Sequence, residues 1–247
     1  MNLSESLINF ALKQAADVSI ADLRLGLGYS CVELSDGRSG VAWTPNNHHS
    51  GSCTHLRKAG EINGLPAAEV VSWLASDNNL ERTAALATVN ALNSKIERDF
   101  LEDEAVSLLE LTSNDHVVMV GYFAPLVPAI KASGCRFEVV ELDADKPDVI
   151  SPQQGFKALG ECDVAIITAT SIVNNTVDGL IDSLKRNRAA VMLGPSTPMC
   201  PEAFVGTRIT QLSGSIVKNV ERVKTIVSQG GGTMLLKKHL RFATVKV

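Results

Sequence analysis

Residues Val191 to Phe204, VMLGPSTPMCPEAF, set Gly194, Pro195, Ser196, Thr197 and Pro198 directly after an apolar run, with no charged side chain among them. Hydroxyls and backbone amides on a loop stiffened by prolines suit hydrogen bonding to a small polar ligand. A triphosphate-binding loop needs a Lys after its glycines to meet the phosphate charge, and GPSTP has none. A nucleophile elbow is excluded too, since Pro195 precedes Ser196 and no Gly follows two residues later. The plain structural alternative is that the prolines end a strand and Pro201 opens a helix at its first position.

Three other stretches carry chemistry. In TATSIVNNTVDG, Thr170 and Ser171 precede Asn174, Asn175 and Thr176 at the start of a helix, where hydroxyl donors suit an anionic or carbonyl group. Asn175 also reads as a helix cap, with Asp178 three residues on. In GYFAPL a single glycine, Gly121, stands where a dinucleotide fingerprint needs three, and Tyr122 and Phe123 would crowd a pyrophosphate, so ordinary NAD or FAD binding is not expected. Glu141 lies at the offset of about 20 residues at which an acidic side chain holds a ribose, which leaves a methyl donor open. The acid/base candidates are Glu141, Asp143, His48 and His49. His48, His49, Cys53 and His55 form the one candidate metal cluster, but their spacing matches no closed structural site and fits a polar loop better.

The elements that must position these residues change character along the chain. An amphipathic helix carrying Leu7, Ile8, Ala11, Leu12 and Ala15 opens it. IADLRLGLGYSCVEL and GRSGVAWT, parted by Ser35-Asp36-Gly37, read as an antiparallel meander, with GLGYS as a strand irregularity. PAAEVVSWLAS and LERTAALATVNALNSKI read as helices, and ERDFLEDEA as an exposed connection. From HVVMVG onward, short β-branched runs alternate with helical segments through FEVVELD, DVAIITAT and AAVMLG, which requires parallel strands with crossover helices. RITQLSG and NVERVKTIVSQ add a strand and a helix, broken by Gly230 to Gly232. The expectation is an α+β domain over residues 1–97 and a Rossmann-like domain over 98–247, its mainly parallel sheet covered by helices on both faces. Ligands in such sheets bind beyond the carboxyl ends of the strands, where Gly121, Glu141, Thr170 and Gly194 lie.

The 247 residues carry a formal charge of -4 and no long basic run, which argues against nucleic acid or an anionic membrane surface as partner. VVMVGYFAPLVPAI, the longest apolar candidate for a membrane span, is interrupted by Pro125 and Pro128. The five cysteines form no Cys-x-x-Cys pair, as in reduced cytoplasmic chains. A small-molecule partner is expected, and a homo-oligomer is left open.

VVMVGYF, ITATSIVNNT, VMLGPSTPMCPEAFVG and LSGSIVKN, in this order, resemble the heavy-metal chelation family of unknown function across most of residues 115–220. ATVNAL and the meander resemble, more weakly, the enolase N-terminal-like domain that precedes the Rossmann-like domain in that family. The resemblance implies a ligand site in the cleft between the two domains. It points to Asn90, Gly121, Phe123, Thr170, Ser171, Thr176, Gly194, Ser196, Thr197 and Asn219, with Pro195 shaping the loop. It implies condensation or hydrolysis in the metabolism of pterin-, flavin- or siderophore-like metallophores. The competing readings are a non-catalytic carrier of a heavy-metal ion or its chelate, and an S-adenosylmethionine-dependent methyltransferase-like enzyme.

Overall fold

In the computed structural model, which describes residues 2–45, 54–102, 105–141 and 148–247, a reciprocal cap starts helix α1 (Leu3–Leu12). Asn2 Oδ1 accepts from Glu5 N at 2.8 Å, and Glu5 Oε2 accepts from Asn2 N at 3.1 Å. Strands β1 (Ile20–Leu25), β2 (Tyr29–Leu34) and β3 (Ser39–Trp43) form the antiparallel meander in that order. Helices α2 (Ala67–Ser72) and α3 (Asn79–Asn93) follow. α3 lies so close to β3 that a Cβ at Gly40 would collide with the backbone of Ala87 and Ala91.

The second half alternates as expected: β4 (His116–Val120), α4 (Val127–Ala132), β5 (Arg136–Val140), β6 (Val149–Ile150), α5 (Pro152–Glu161), β7 (Val164–Thr168), α6 (Thr170–Val173), α7 (Val177–Ser183), β8 (Ala189–Leu193), β9 (Gln211–Val217), α8 (Val220–Ser228), α9 (Thr233–Leu236) and β10 (Leu240–Lys246). The seven-stranded sheet has the order β10-β9-β8-β7-β4-β5-β6, parallel except for β10, which runs antiparallel to β9. Successive strand residues face opposite sides, so Val117 and Met119 pack with Val106, Leu109 and Ile130. Val118 and Val120 join a core that runs on into the N-terminal half through Leu7, Leu34, Leu86 and Phe204.

Four expectations need correction. The Gly26-Leu27-Gly28 segment is the tip of the β1–β2 hairpin, with Gly26 N donating to Tyr29 O at 3.0 Å; the irregularity lies earlier, between Ile20 and Asp22. ERDFLEDEA is not simply exposed. Leu101 exchanges backbone bonds of 2.8 and 2.9 Å with Thr244 of β10, and Arg98 Nη1 donates to Glu202 Oε1 at 2.8 Å. β10 itself has no counterpart in the expected element list. The residue at the start of α7 is Thr176, while Asn175 takes a left-handed conformation at φ 57° in the preceding turn, so it is not the cap.

Candidate functional site

The strand order reverses at β4, which has β5 on one side and β7 on the other. The crevice beyond the carboxyl ends of β4 and β7 is therefore the switch point at which open α/β sheets bind ligands. Gly121 ends β4 at φ 84°, its N–H donating to Val140 O at 3.0 Å. A Cβ there would lie 3.0 Å from Cβ and Cγ2 of Thr168, so only glycine lets the two strand ends close up. Thr168 Oγ1 lies 3.0 Å from Thr170 Oγ1, and Ser171 Oγ donates to Thr168 O at 2.7 Å. This leaves Thr168 and Thr170 half-buried at the crevice and Ser171 turned inward.

The third strand end closes the row. Gly194 follows β8 at φ 117°, and a Cβ there would touch the Phe123 ring at 3.8 Å. Thr197 N donates to Gly194 O at 2.9 Å, turning the chain so that Ser196 and Thr197 point into the protein, each 1% exposed. Ser196 Oγ accepts from Trp43 N at 2.8 Å, and Ser196 O accepts from Asn90 Nδ2 at 3.0 Å. Asn90 Nδ2 also donates to Val41 O at 2.9 Å. Ser196 is thus a tie between the halves, not an open ligand donor. Among the described residues, Asn90 Oδ1 and Thr197 Oγ1 are buried without a hydrogen-bond partner, an acceptor and a hydroxyl beside the same loop. Ser215 Oγ donates to Pro195 O at 3.1 Å and fixes the proline turn.

Glu141 follows β5, and its Oε2 accepts from Tyr122 N at 3.2 Å, which holds a carboxylate against the first loop. Thr176 and Asn219 are exposed, and Asn219 caps α8 by accepting from Arg222 N at 3.1 Å. Thr176 N and Oγ1 donate to Ser171 O at 3.0 and 3.5 Å. His48, His49, Cys53 and Asp143 lie outside the described residues. His55 is described, and its carbonyl accepts from Asn78 Nδ2 at 2.9 Å. Among the described residues, no group of three or more His, Cys, Asp and Glu is placed to hold a metal ion. Cavities of 520 and 710 Å³ lie along Lys95 to Leu101, and one of 560 Å³ lies beside Trp73 and Glu81. None of the three is lined by the residues that the sequence singled out.

Two anchors escaped sequence reading. Arg82, 2% exposed on α3, donates to the carbonyls of Leu74, Ile172 and Val173 and to Ser4 Oγ, securing the end of α6 behind the crevice. Trp43 holds the proline loop through its backbone amide. An arginine in an alanine-rich helix reads as solvated, and a backbone contact leaves no mark on residue type.

The reversed strand order and glycine-hinged strand ends define a doubly wound α/β protein, coupled here to a small meander-and-helix unit. Two family models match the chain, over residues 104–246 (DUF364) and 8–93 (DUF4213), each described as "Putative heavy-metal chelation". The first covers more than half of the chain, and the protein belongs to that family. An uncharacterized protein of Methanocaldococcus jannaschii is 25% identical over 254 residues, spanning 99% of this chain and 96% of the relative. A DUF364-family protein of unknown function from Pyrococcus horikoshii shares the fold at TM-score 0.86 and 24% identity, with 99% of this chain and 100% of that one covered. A second, from Desulfitobacterium hafniense, matches at TM-score 0.84 and 23% identity over 99% and 97%. Among the described residues, no helix is long and apolar enough to cross a membrane.

Proposed function

We propose that the protein binds a small polar molecule, a metal chelate in preference to a bare ion, at the carboxyl ends of β4, β7 and β8. The observation that carries this reading is the meeting of Gly121, Phe123, Thr168, Thr170 and Gly194 from three strand ends at a half-buried surface. The backbone amides of Gly121, Phe123, Thr170 and Gly194 already donate within the protein, so the donors are the neutral hydroxyls of Thr168 and Thr170, suited to the oxygens of a chelating molecule, whereas a bare heavy-metal ion calls for imidazole, thiolate or carboxylate ligands. The family description supports the link to metals. A division into units 1–97 and 98–247 agrees with the gap between the two matched segments. Glu141 is the side chain for any accompanying condensation or hydrolysis.

Ferric ion alone, citrate alone and ferric citrate, each titrated in thermal melts, test the reading. Ferric citrate is expected to raise the melting temperature, as a ligand of the native state must, and Thr170→Val to reduce the rise. An equal rise with the ion alone, or no effect of Thr170→Val, overturns it.

One observation favours a second reading: the carboxylate of Glu141, tied to Tyr122 N, stands where Rossmann-like folds hold a ribose. A methyl-donor site requires S-adenosylmethionine to raise the melting temperature and Glu141→Gln to abolish that rise; no shift at saturation removes it.

A further inference from the structure

β1 is an edge strand whose outer edge, among the described residues, is hydrogen-bonded only at its start. Ile20 N donates to Leu65 O at 2.9 Å, and Gly64 N donates to Ile20 O at 2.8 Å. The hairpin tip begins at Gly26. Between these limits, among the described residues, no strand pairs with the outer edge of Ala21 to Leu25. Because hydrogen-bonded and non-bonded pairs alternate in an antiparallel ladder, the Gly26–Tyr29 bond assigns the backbones of Arg24 and Asp22 to β2. The N–H and C=O groups of Leu23 and Leu25 then point outward.

We propose that this edge is a homodimer interface, in which the β1 strands of two copies pair antiparallel about a two-fold axis through Leu23 and make a six-stranded sheet. The open segment is symmetric about Leu23, so the same five residues serve both copies, as an isologous interface requires. The register is selected by charge. An axis through Leu23 sets Asp22 of each copy opposite Arg24 of the other, whereas an axis through Arg24 would oppose two guanidinium groups. The two side chains already pair within one strand, Arg24 Nε to Asp22 Oδ1 at 2.8 Å, and can exchange partners across the axis. Exposed apolar side chains continue the surface past the strand: Leu25 and Leu27 are 38% and 78% exposed, and Leu27 abuts Gly230 in the turn that leads to Met234, 73% exposed.

Sedimentation velocity of the full chain across a range of concentrations tests the interface. The expected species has twice the 26.3 kDa chain mass. Arg24→Glu is expected to weaken association by about tenfold or more, since it places Glu against Asp22 of the other copy. Leu25→Lys is expected to give monomers that keep the circular dichroism of the folded chain. Mixing Arg24→Glu chains with Asp22→Lys chains should restore dimers, because the heterodimer regains both opposite-charge pairs; Lys224, whose Nζ lies 3.7 Å from Asp22 Oδ2, keeps Glu33 and Glu221 as partners in both variants. A wild-type chain that is monomeric throughout, or a dimer indifferent to Arg24→Glu and Leu25→Lys, overturns the proposal and leaves the edge to a different partner.

Discussion

Trp43 N donates to Ser196 Oγ at 2.8 Å, so the last residue of the N-terminal meander is bonded to the proline loop that follows β8 in the C-terminal sheet. Ser196 serves this tie with both its oxygens, since its carbonyl accepts from Asn90. Ser196→Ala leaves the Trp43 amide unpaired at a packed junction. The expected cost is about 1–3 kcal/mol. For a chain of this size each kcal/mol lowers the melting temperature by about 2–4 °C, readable by calorimetry. Ser196→Ala and Asn90→Ala should be non-additive, with a coupling of about 0.5 kcal/mol or more in a double-mutant cycle.

Gly121 and Gly194 separate two causes of glycine choice. Both have positive φ, so either alanine variant bears backbone strain of about 1–2 kcal/mol. Only at Gly121 does the new Cβ also press on Thr168, at 3.0 Å; at Gly194 the nearest atom is an ordinary 3.8 Å away. Urea unfolding should therefore rank Gly121→Ala as the less stable variant. Equal midpoints would mean that the strand ends separate freely.

The base of the sheet has an acid-sensitive clamp. Arg188 Nε and Nη2 donate to the two Asp115 carboxylate oxygens at 3.0 and 2.9 Å, and Thr112 N adds a bond of 2.7 Å. Arg188 is the main cause holding the Asp115 carboxyl down to about 2, with Thr112 adding to it and burial opposing. A carboxyl depressed in the folded state stabilises fully above its unfolded pKa, about 3.9, and that contribution is lost as pH falls toward the folded value. Asp115→Asn is therefore expected to flatten the stability profile between about pH 4 and pH 2. Denaturant midpoints across that window check the direction; an unchanged acid limb would show that the clamp contributes nothing.

Thiol reactivity follows burial. Cys31, Cys162 and Cys200 are buried, and burial pushes their thiols up, to about 12 for Cys31 and about 11 for Cys162. Since the thiolate is the reactive form, a maleimide applied to the native protein near neutral pH should label Cys135, which is half-buried, well before these three. Peptide mapping reads the order. Early labelling of Cys200 would mean that the Pro201–Phe204 turn opens.

The alternation of β4 to β9 with helices was legible because parallel strands covered on both faces read as apolar, β-branched runs. Gly121 and Gly194 were legible for a related reason: a glycine ending such a run marks a backbone turn that other residues resist. Asn219 entered as a ligand-site residue only through the family resemblance, and the fold gives it the capping role at the start of α8. β10 was not legible, because RFATVK alternates weakly and its place is set by pairing with β9 and with Leu101.

By itself, the sequence determined the strand-end loops, their uncharged chemistry and the exclusion of a Lys-dependent phosphate loop, since these depend on residue type and short spacing. The tertiary structure alone decided which hydroxyls stay at the crevice. Thr168 and Thr170 stay half-buried beside Gly121. Ser196, another hydroxyl in a strand-end loop, is closed by Trp43, 153 residues away. Hydroxyls that look alike in a string differ in the folded chain because a partner brought in over that distance satisfies one and leaves the others at the crevice.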